Sequence, residues 1–136
     1  MSYVALVTDQ FDAMTQFYGA ALGAPVVRSW DRPTGRGRVF DLGGLRLEIL
    51  DNGREASRQR LGEAADRFHL VLEVGDVDAV WRRLGGPAPA PRVAPWGARL
   101  FQIRDPDGVP VTVLEWLDED RGRSGPEHQP AAEGAP

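Results

Sequence analysis

The chain carries one module twice. Tyr3-Val4-Ala5-Leu6, followed by Phe11-Asp12-Ala13-Met14, returns 66 residues later as His69-Leu70-Val71-Leu72 followed by Val77-Asp78-Ala79-Val80. Further along, Arg38-Val39-Phe40-Asp41-Leu42 matches Arg99-Leu100-Phe101-Gln102-Ile103, and residues 45–50 match 109–114 after an insertion of three. A module this small cannot bury a sheet face alone, so the two copies are expected to share a core. Duplication also pairs positions, and the polar residues in each pair state what chemistry a shared site can hold.

Both copies read as strand, helix and hairpin. In the first, residues 4–8 form a strand, and a helix opens at Asp9 or Gln10. Its apolar side chains Phe11, Met14, Phe17, Tyr18, Ala21 and Leu22 recur at helical spacing until Gly23 stops it. Strands are expected at 26–30 and 38–42, with residues 31–37 as a polar loop between them and Gly43-Gly44 as a turn. Residues 45–50 alternate, so Leu45, Leu47 and Ile49 face the helix while Arg46, Glu48 and Leu50 face away. In the second copy Val77, Val80, Trp81 and Leu84 mark a helix with Asp76 as N-cap, and Gly85-Gly86 ends it. Four prolines between residues 87 and 95 allow at most an irregular edge strand. Strands at 99–103 and 111–116 flank the turn Asp105-Pro106-Asp107-Gly108. By the same parity Pro110, Thr112, Leu114 and Trp116 face away from the second helix, and Glu115 faces toward it.

The organisation expected is one domain over residues 1–117, built from modules 1–52 and 67–117 joined by a polar linker at 53–66. Residues 54–61 of that linker can form a short helix. The acidic tail at 118–136 is expected to be disordered, and His128 within it solvated.

Several classes of function are excluded by composition. The chain has no cysteine, so disulfides, thiolate metal ligation and cysteine nucleophiles are absent, and a reducing cytoplasmic setting fits. All 16 basic residues are arginine, which removes Schiff-base chemistry on lysine. The net charge of −4 offers nothing to nucleic acid, and no apolar run is long enough to span a bilayer. No signal peptide is visible at the start. There is no Walker loop, dinucleotide glycine fingerprint or Gly-x-Ser-x-Gly, and the 105–108 turn lacks the spaced oxygen ligands of a calcium loop.

Phe17-Tyr18-Gly19 with Leu22-Gly23, His69 seven residues before Asp76, Trp96-Gly97, and the Asp105-Pro106-Asp107-Gly108 turn before a final strand together resemble the vicinal oxygen chelate superfamily. That superfamily includes glyoxalases, bleomycin-resistance proteins and extradiol dioxygenases. The resemblance covers residues 1 to about 117 and implies an α+β fold of two βαβββ modules forming a curved mixed sheet around a cleft, with a homodimer as the common assembly. It implies no single activity, because this fold hosts several.

Metal-dependent members of the family place His or Gln and Glu at four symmetry-related positions. Here those positions hold Tyr3, Glu48, His69 and Thr112. A phenol such as that of Tyr3 is a poor ligand, since the unperturbed group ionises only near pH ~10, and Thr112 is a neutral hydroxyl. Two conventional ligands fall short of the three protein donors a catalytic zinc takes. The expectation is therefore a protein without cofactor that encloses a small apolar or aromatic molecule, as antibiotic-sequestering members do. Its candidate ligand-binding residues are Tyr3, Trp30, Arg46, Glu48, Leu50, His69, Thr112, Leu114 and Trp116. The alternative is a lyase, isomerase or oxygenase with a divalent metal on Glu48 and His69, its remaining sites filled by water and substrate oxygens. Glu48 and His69 are also candidate catalytic acid and base without metal, or simply hydrogen-bonding residues. Phe11, Phe17, Tyr18, Trp81, Phe40 and Phe101 are read as core, and Trp96 as structural or pocket rim.

Overall fold

The computed structural model describes residues 2–55, 58–62, 68–86 and 88–117. The expected disorder of the 118–136 tail, with His128, lies outside the described residues. Two compact units emerge: residues 1–65 together with Asp105–Gly108, and residues 66–104 with 109–136. The fold is α+β, with one four-stranded mixed sheet in each unit.

In the first unit, strands β1 (Tyr3–Thr8), β2 (Val26–Arg32), β3 (Gly35–Asp41) and β4 (Arg46–Asp51) order as β1-β4-β3-β2, with β1 parallel to β4. The helix between β1 and β2 begins as α1 (Phe11–Thr15) and widens into a π-helical stretch, Gln16–Ala21, where a single regular helix was expected. The Leu22 amide donates to the Phe17 carbonyl, five residues back, and Gly23 leaves the helix at φ 76°. Phe11, Met14 and Tyr18 are buried, as are Phe40, Leu47 and Ile49 on the strands, and the Tyr18 and Phe40 ring centres lie 6.4 Å apart. The helix lies so close to β3 that a Cβ on Gly19 would stand 3.0 Å from the Phe40 ring. Arg36 seals the edge: its Nη2 is 2.7 Å from Asp51 Oδ2, and its guanidinium lies 4.3 Å from the Phe11 ring centre.

Tyr18 donates from its hydroxyl to Asp105 Oδ2 at 2.6 Å, and both side chains are buried. The same carboxylate accepts from the Asp107 amide within its own turn, and Gln10 Nε2 reaches Pro106 O and Asp107 Oδ1. The sequence explains the 105–108 segment as a turn; the structure gives Asp105 a second task as the acceptor for a core phenol.

Two sequence expectations need correction here. The 31–37 loop is a tight turn, because β2 runs on to Arg32 and β3 starts at Gly35. The polar linker, where 54–61 could form a short helix, holds instead a 3-10 turn at Asn52–Arg54 and irregular chain at 58–62 among its described residues. The cause is the buried Asn52 amide, which accepts from Gln59 N at 2.9 Å and donates to Gln59 O and to Asp9 Oδ1, each at 2.8 Å, offering the backbone an alternative to helical bonds.

The second unit repeats the plan with β5 (Leu70–Glu73), α2 (Val77–Leu84), β6 (Arg92–Ala94), β7 (Ala98–Arg104) and β8 (Pro110–Trp116), in the order β5-β8-β7-β6. Asp76 caps α2 by accepting from the Ala79 amide, and Gly85 closes it in the left-handed conformation. The Glu115 carboxylate accepts from the Val77 amide, so Glu115 faces the helix as parity requires. Leu70, Leu72, Val111, Val113 and Phe101 share that buried face.

Candidate functional site

Each sheet has one face away from its helix. In the second unit the cross-strand partners Val71, Thr112 and Gln102 share this face, as do Leu100 with Leu114 and Ala98 with Trp116. Ala94, Leu100 and Leu114 form its buried apolar floor, on which Val71, Trp96 and Trp116 pack half-exposed. The Trp96 and Trp116 rings meet edge to face with centres 5.6 Å apart. Trp96 is put there by a turn in which the Gly97 amide donates to Ala94 O and Gly97 takes φ 98°, a conformation that suits glycine. Trp116 is oriented by its Nε1–H, which donates to Glu73 Oε1 at 3.0 Å.

One polar chain crosses this apolar surface. Gln102 Nε2 donates to Thr112 Oγ1 at 2.9 Å, and the same oxygen is 2.6 Å from His69 Nε2. Thr112 is fully buried, and its oxygen, with two lone pairs and one proton, accepts from Gln102 and either donates to Nε2 or accepts from an Nε2–H, as the ring tautomer decides. A neutral imidazole carries its one ring proton on either Nδ1 or Nε2. Desolvation, reinforced by the Arg104 charge, lowers the His69 pKa from 6.5 and favours the neutral state.

In the first unit the corresponding face carries Tyr3, Ala5 and Val7 on β1, Arg46, Glu48 and Leu50 on β4, Gly37 and Val39 on β3, and Arg28 and Trp30 on β2. The Trp30 indole lies across β3: a Cβ on Gly37 would stand 2.3 Å from its Cζ2. The Arg28 guanidinium approaches that ring to 5.1 Å. Glu48 is 8% exposed, and Tyr3 is 57% exposed. Among the described residues neither Arg46 nor Glu48 forms an ion pair; Asp41, opposite Arg46, accepts from the Gly43 and Gly44 amides instead.

Of the residues singled out from sequence, His69 and Thr112 are in direct contact, and Leu114 and Trp116 share their face. Trp30, Arg46, Glu48, Leu50 and Tyr3 share the open face of the first unit, with Tyr3 at its solvent-exposed margin. Sequence reading missed Gln102 and the seat that Gly37 makes for Trp30. Both left a trace: Gln102 is the lone polar residue between apolar Leu100, Phe101 and Ile103, and Gly37 lies in a strand, where glycine marks a close approach.

Within either unit, the described residues at these positions do not supply the three protein donors that a catalytic zinc takes. His69 Nε2 is engaged by a neutral hydroxyl, Thr112 is an unfavourable ligand, and the first unit offers one carboxylate beside an exposed phenol. Among the described residues no three His, Cys, Asp or Glu side chains gather as a metal would require. No described helix is long and apolar enough to cross a membrane.

Paired mixed sheets with this topology, and a chain matched over residues 1–113 by the family model, define the class: the protein belongs to the Glyoxalase/Bleomycin resistance protein/Dioxygenase superfamily. It is similar to the crystal structure of SMU.1112c, with 27% identity, a TM-score of 0.68, and coverage of 85% of this chain and 97% of that one. It is also similar to lactoylglutathione lyase from Agrobacterium tumefaciens, at 28% identity and TM-score 0.61, covering 85% and 92% of the two chains. The fosfomycin resistance protein FosX from Mesorhizobium loti shares the fold at 18% identity and TM-score 0.60, covering 91% and 95%. No curated protein matches the sequence at a significant level.

Proposed function

We propose that this protein binds a small, mostly apolar or aromatic molecule without a resident metal, in the manner of sequestering, antibiotic-resistance-type members of its superfamily. The observation that carries this reading is the Thr112–His69 bond, set in a surface of Leu114, Val71, Trp96 and Trp116. Where a metal-dependent relative would place a second ligand, a buried hydroxyl ties up the imidazole. Binding then comes from desolvating an aromatic ligand against tryptophan and leucine. His69 Nδ1 makes one orienting hydrogen bond, and Arg46 and Glu48 set polarity on the other unit's open face. The working assembly is a homodimer and the setting the cytoplasm, which a chain without cysteine suits.

A second reading, a metal-dependent lyase, isomerase or oxygenase using His69 and Glu48, is favoured by the 28% identity to a lactoylglutathione lyase. It requires His69 Nε2 to leave Thr112. Elemental analysis after purification without a chelating tag separates the two, read beside tryptophan-fluorescence titration with a panel of aromatic metabolites. Saturable quenching by panel members in metal-free protein is the expected result. A stoichiometric divalent metal that disappears in Glu48→Ala would establish the second reading instead. Light scattering checks the dimer.

A further inference from the structure

The β2 edge of the first unit carries Arg28, Trp30 and Arg32 at alternate positions, hence on one face, opposite Val39, Gly37 and Gly35 of β3. Two glycines in three residues strip the neighbouring strand of side chains where the indole needs to lie. The ring occupies that bare backbone: Cζ2, Cε2 and Cη2 lie 2.3–2.8 Å from where a Gly37 Cβ would be, and Nε1 is 3.9 Å from a Cβ on Gly35. The Arg28 guanidinium carbon stands over this indole, 5.1 Å from its centre, so a flat ring stacking there takes the place of that cation, which stays at its edge.

The charges around the platform are unbalanced. Asp31, the acid between the two arginines, points to the opposite face and is held by Arg54 Nη1 at 2.6 Å. The same Arg54 nitrogen donates to Arg32 O at 3.0 Å, fixing the end of the strand. Among the described residues neither Arg28 nor Arg32 forms an ion pair. Glu48 is in the row of Arg28 but two strands away, at about 9–10 Å by sheet spacing. A guanidinium is a planar fork suited to a carboxylate.

Resting on the reading of this open face as ligand-binding, we infer that Arg28, Trp30 and Arg32 over Gly35 and Gly37 form a subsite for a planar aromatic carboxylate. Trp30 stacks on the ring system, Val7 and Leu50 in the same cross-strand row extend the apolar floor, and the flanking guanidiniums take the carboxylate.

Isothermal titration of the full chain with 2-naphthoate and with the isosteric neutral 2-naphthamide tests this. Naphthoate is expected to bind at least about tenfold more tightly, as charge-assisted hydrogen bonds are stronger than neutral ones. In a doubly substituted Arg28→Gln, Arg32→Gln protein the ratio falls to near one, and in Arg28→Lys, Arg32→Lys much of it returns. Circular dichroism melts confirm that each variant is folded. Equal binding of the two compounds by the wild-type protein overturns the inference while leaving a neutral-ligand binding protein intact. So does a naphthoate preference that survives the double glutamine substitution. If neither compound binds, the ligand-binding reading of this face fails with it.

Discussion

Thr112 Oγ1 and His69 Nε2 stand 2.6 Å apart on the open face of the second sheet, and Gln102 Nε2 donates to the same oxygen. Protonating His69 charges a half-buried ring near the Arg104 cation. The folded pKa therefore lies below 6.5, chiefly from desolvation.

The consequence for stability has a definite sign. Below the unfolded value the unfolded chain holds more protons at this site than the folded one, so this contribution is complete above pH 6.5 and is lost as pH falls toward the folded pKa. Thermal melts between about pH 7.5 and about pH 5.5 should show a steeper loss in the wild type than in His69→Gln, which keeps a polar partner for Thr112 but does not titrate. Parallel pH profiles would show that burial beside Arg104 does not favour the neutral ring. Nitrogen-15 spectra report which ring nitrogen carries the proton.

Tyr18 is buried against Asp105, and that burial, together with the carboxylate it donates to, pushes the phenol well above its ordinary pKa. It remains a hydrogen-bond donor throughout the working pH range. Tyr18→Phe should cost about 1–3 kcal/mol in urea melts, since it strips a buried carboxylate oxygen of its donor. The loss should exceed that of Tyr3→Phe, a phenol already in water.

The repeat and its alternation carried much of the architecture. Leu47 and Ile49 on one face and Glu48 on the other, or Glu115 turned to the α2 amides, follow from period-two parity, which a half-buried strand enforces. What escaped were features set by contacts distant in sequence. The Tyr18–Asp105 bond joins residues 87 apart, and no local pattern announces it or the π-helical stretch that carries Tyr18. The Asn52 amide overrode a helical composition in the same way. At the site, His69 and Thr112 were legible as paired positions, but the polar chain they form with Gln102 was not, because Gln102, which donates to Thr112, has Asp41 as its repeat partner and is therefore not marked by symmetry.

Helix α2 is short, at eight residues, and its start is held by two side chains: Asp76, bonded to the Ala79 amide, and Glu115, bonded to the Val77 amide. Asp76→Ala should destabilise the protein by about 1 kcal/mol, the usual worth of a cap. Glu115→Ala should add to that loss by less than its own single effect, since both carboxylates serve one exposed turn of amides. Strict additivity in a double-mutant cycle would mean that the two act independently.

Gly37 is the residue whose absence of a side chain most directly shapes the first unit's open face. Its backbone φ is not in the positive range, so substituting it tests space alone. Gly37→Ala puts a carbon 2.3 Å from Trp30 Cζ2, a separation that forces the indole off β3 and exposes it. The cost should be about 1–3 kcal/mol, as for other overpacked sites. In a Trp30→Ala background the same substitution should be close to neutral, because the clash has gone and alanine suits a strand better than glycine. The difference between the two backgrounds measures the Gly37–Trp30 coupling, and a value near zero would show that the indole does not lie on the strand. Tryptophan emission supplies an independent readout: Gly37→Ala should shift it to longer wavelength as the displaced ring meets water.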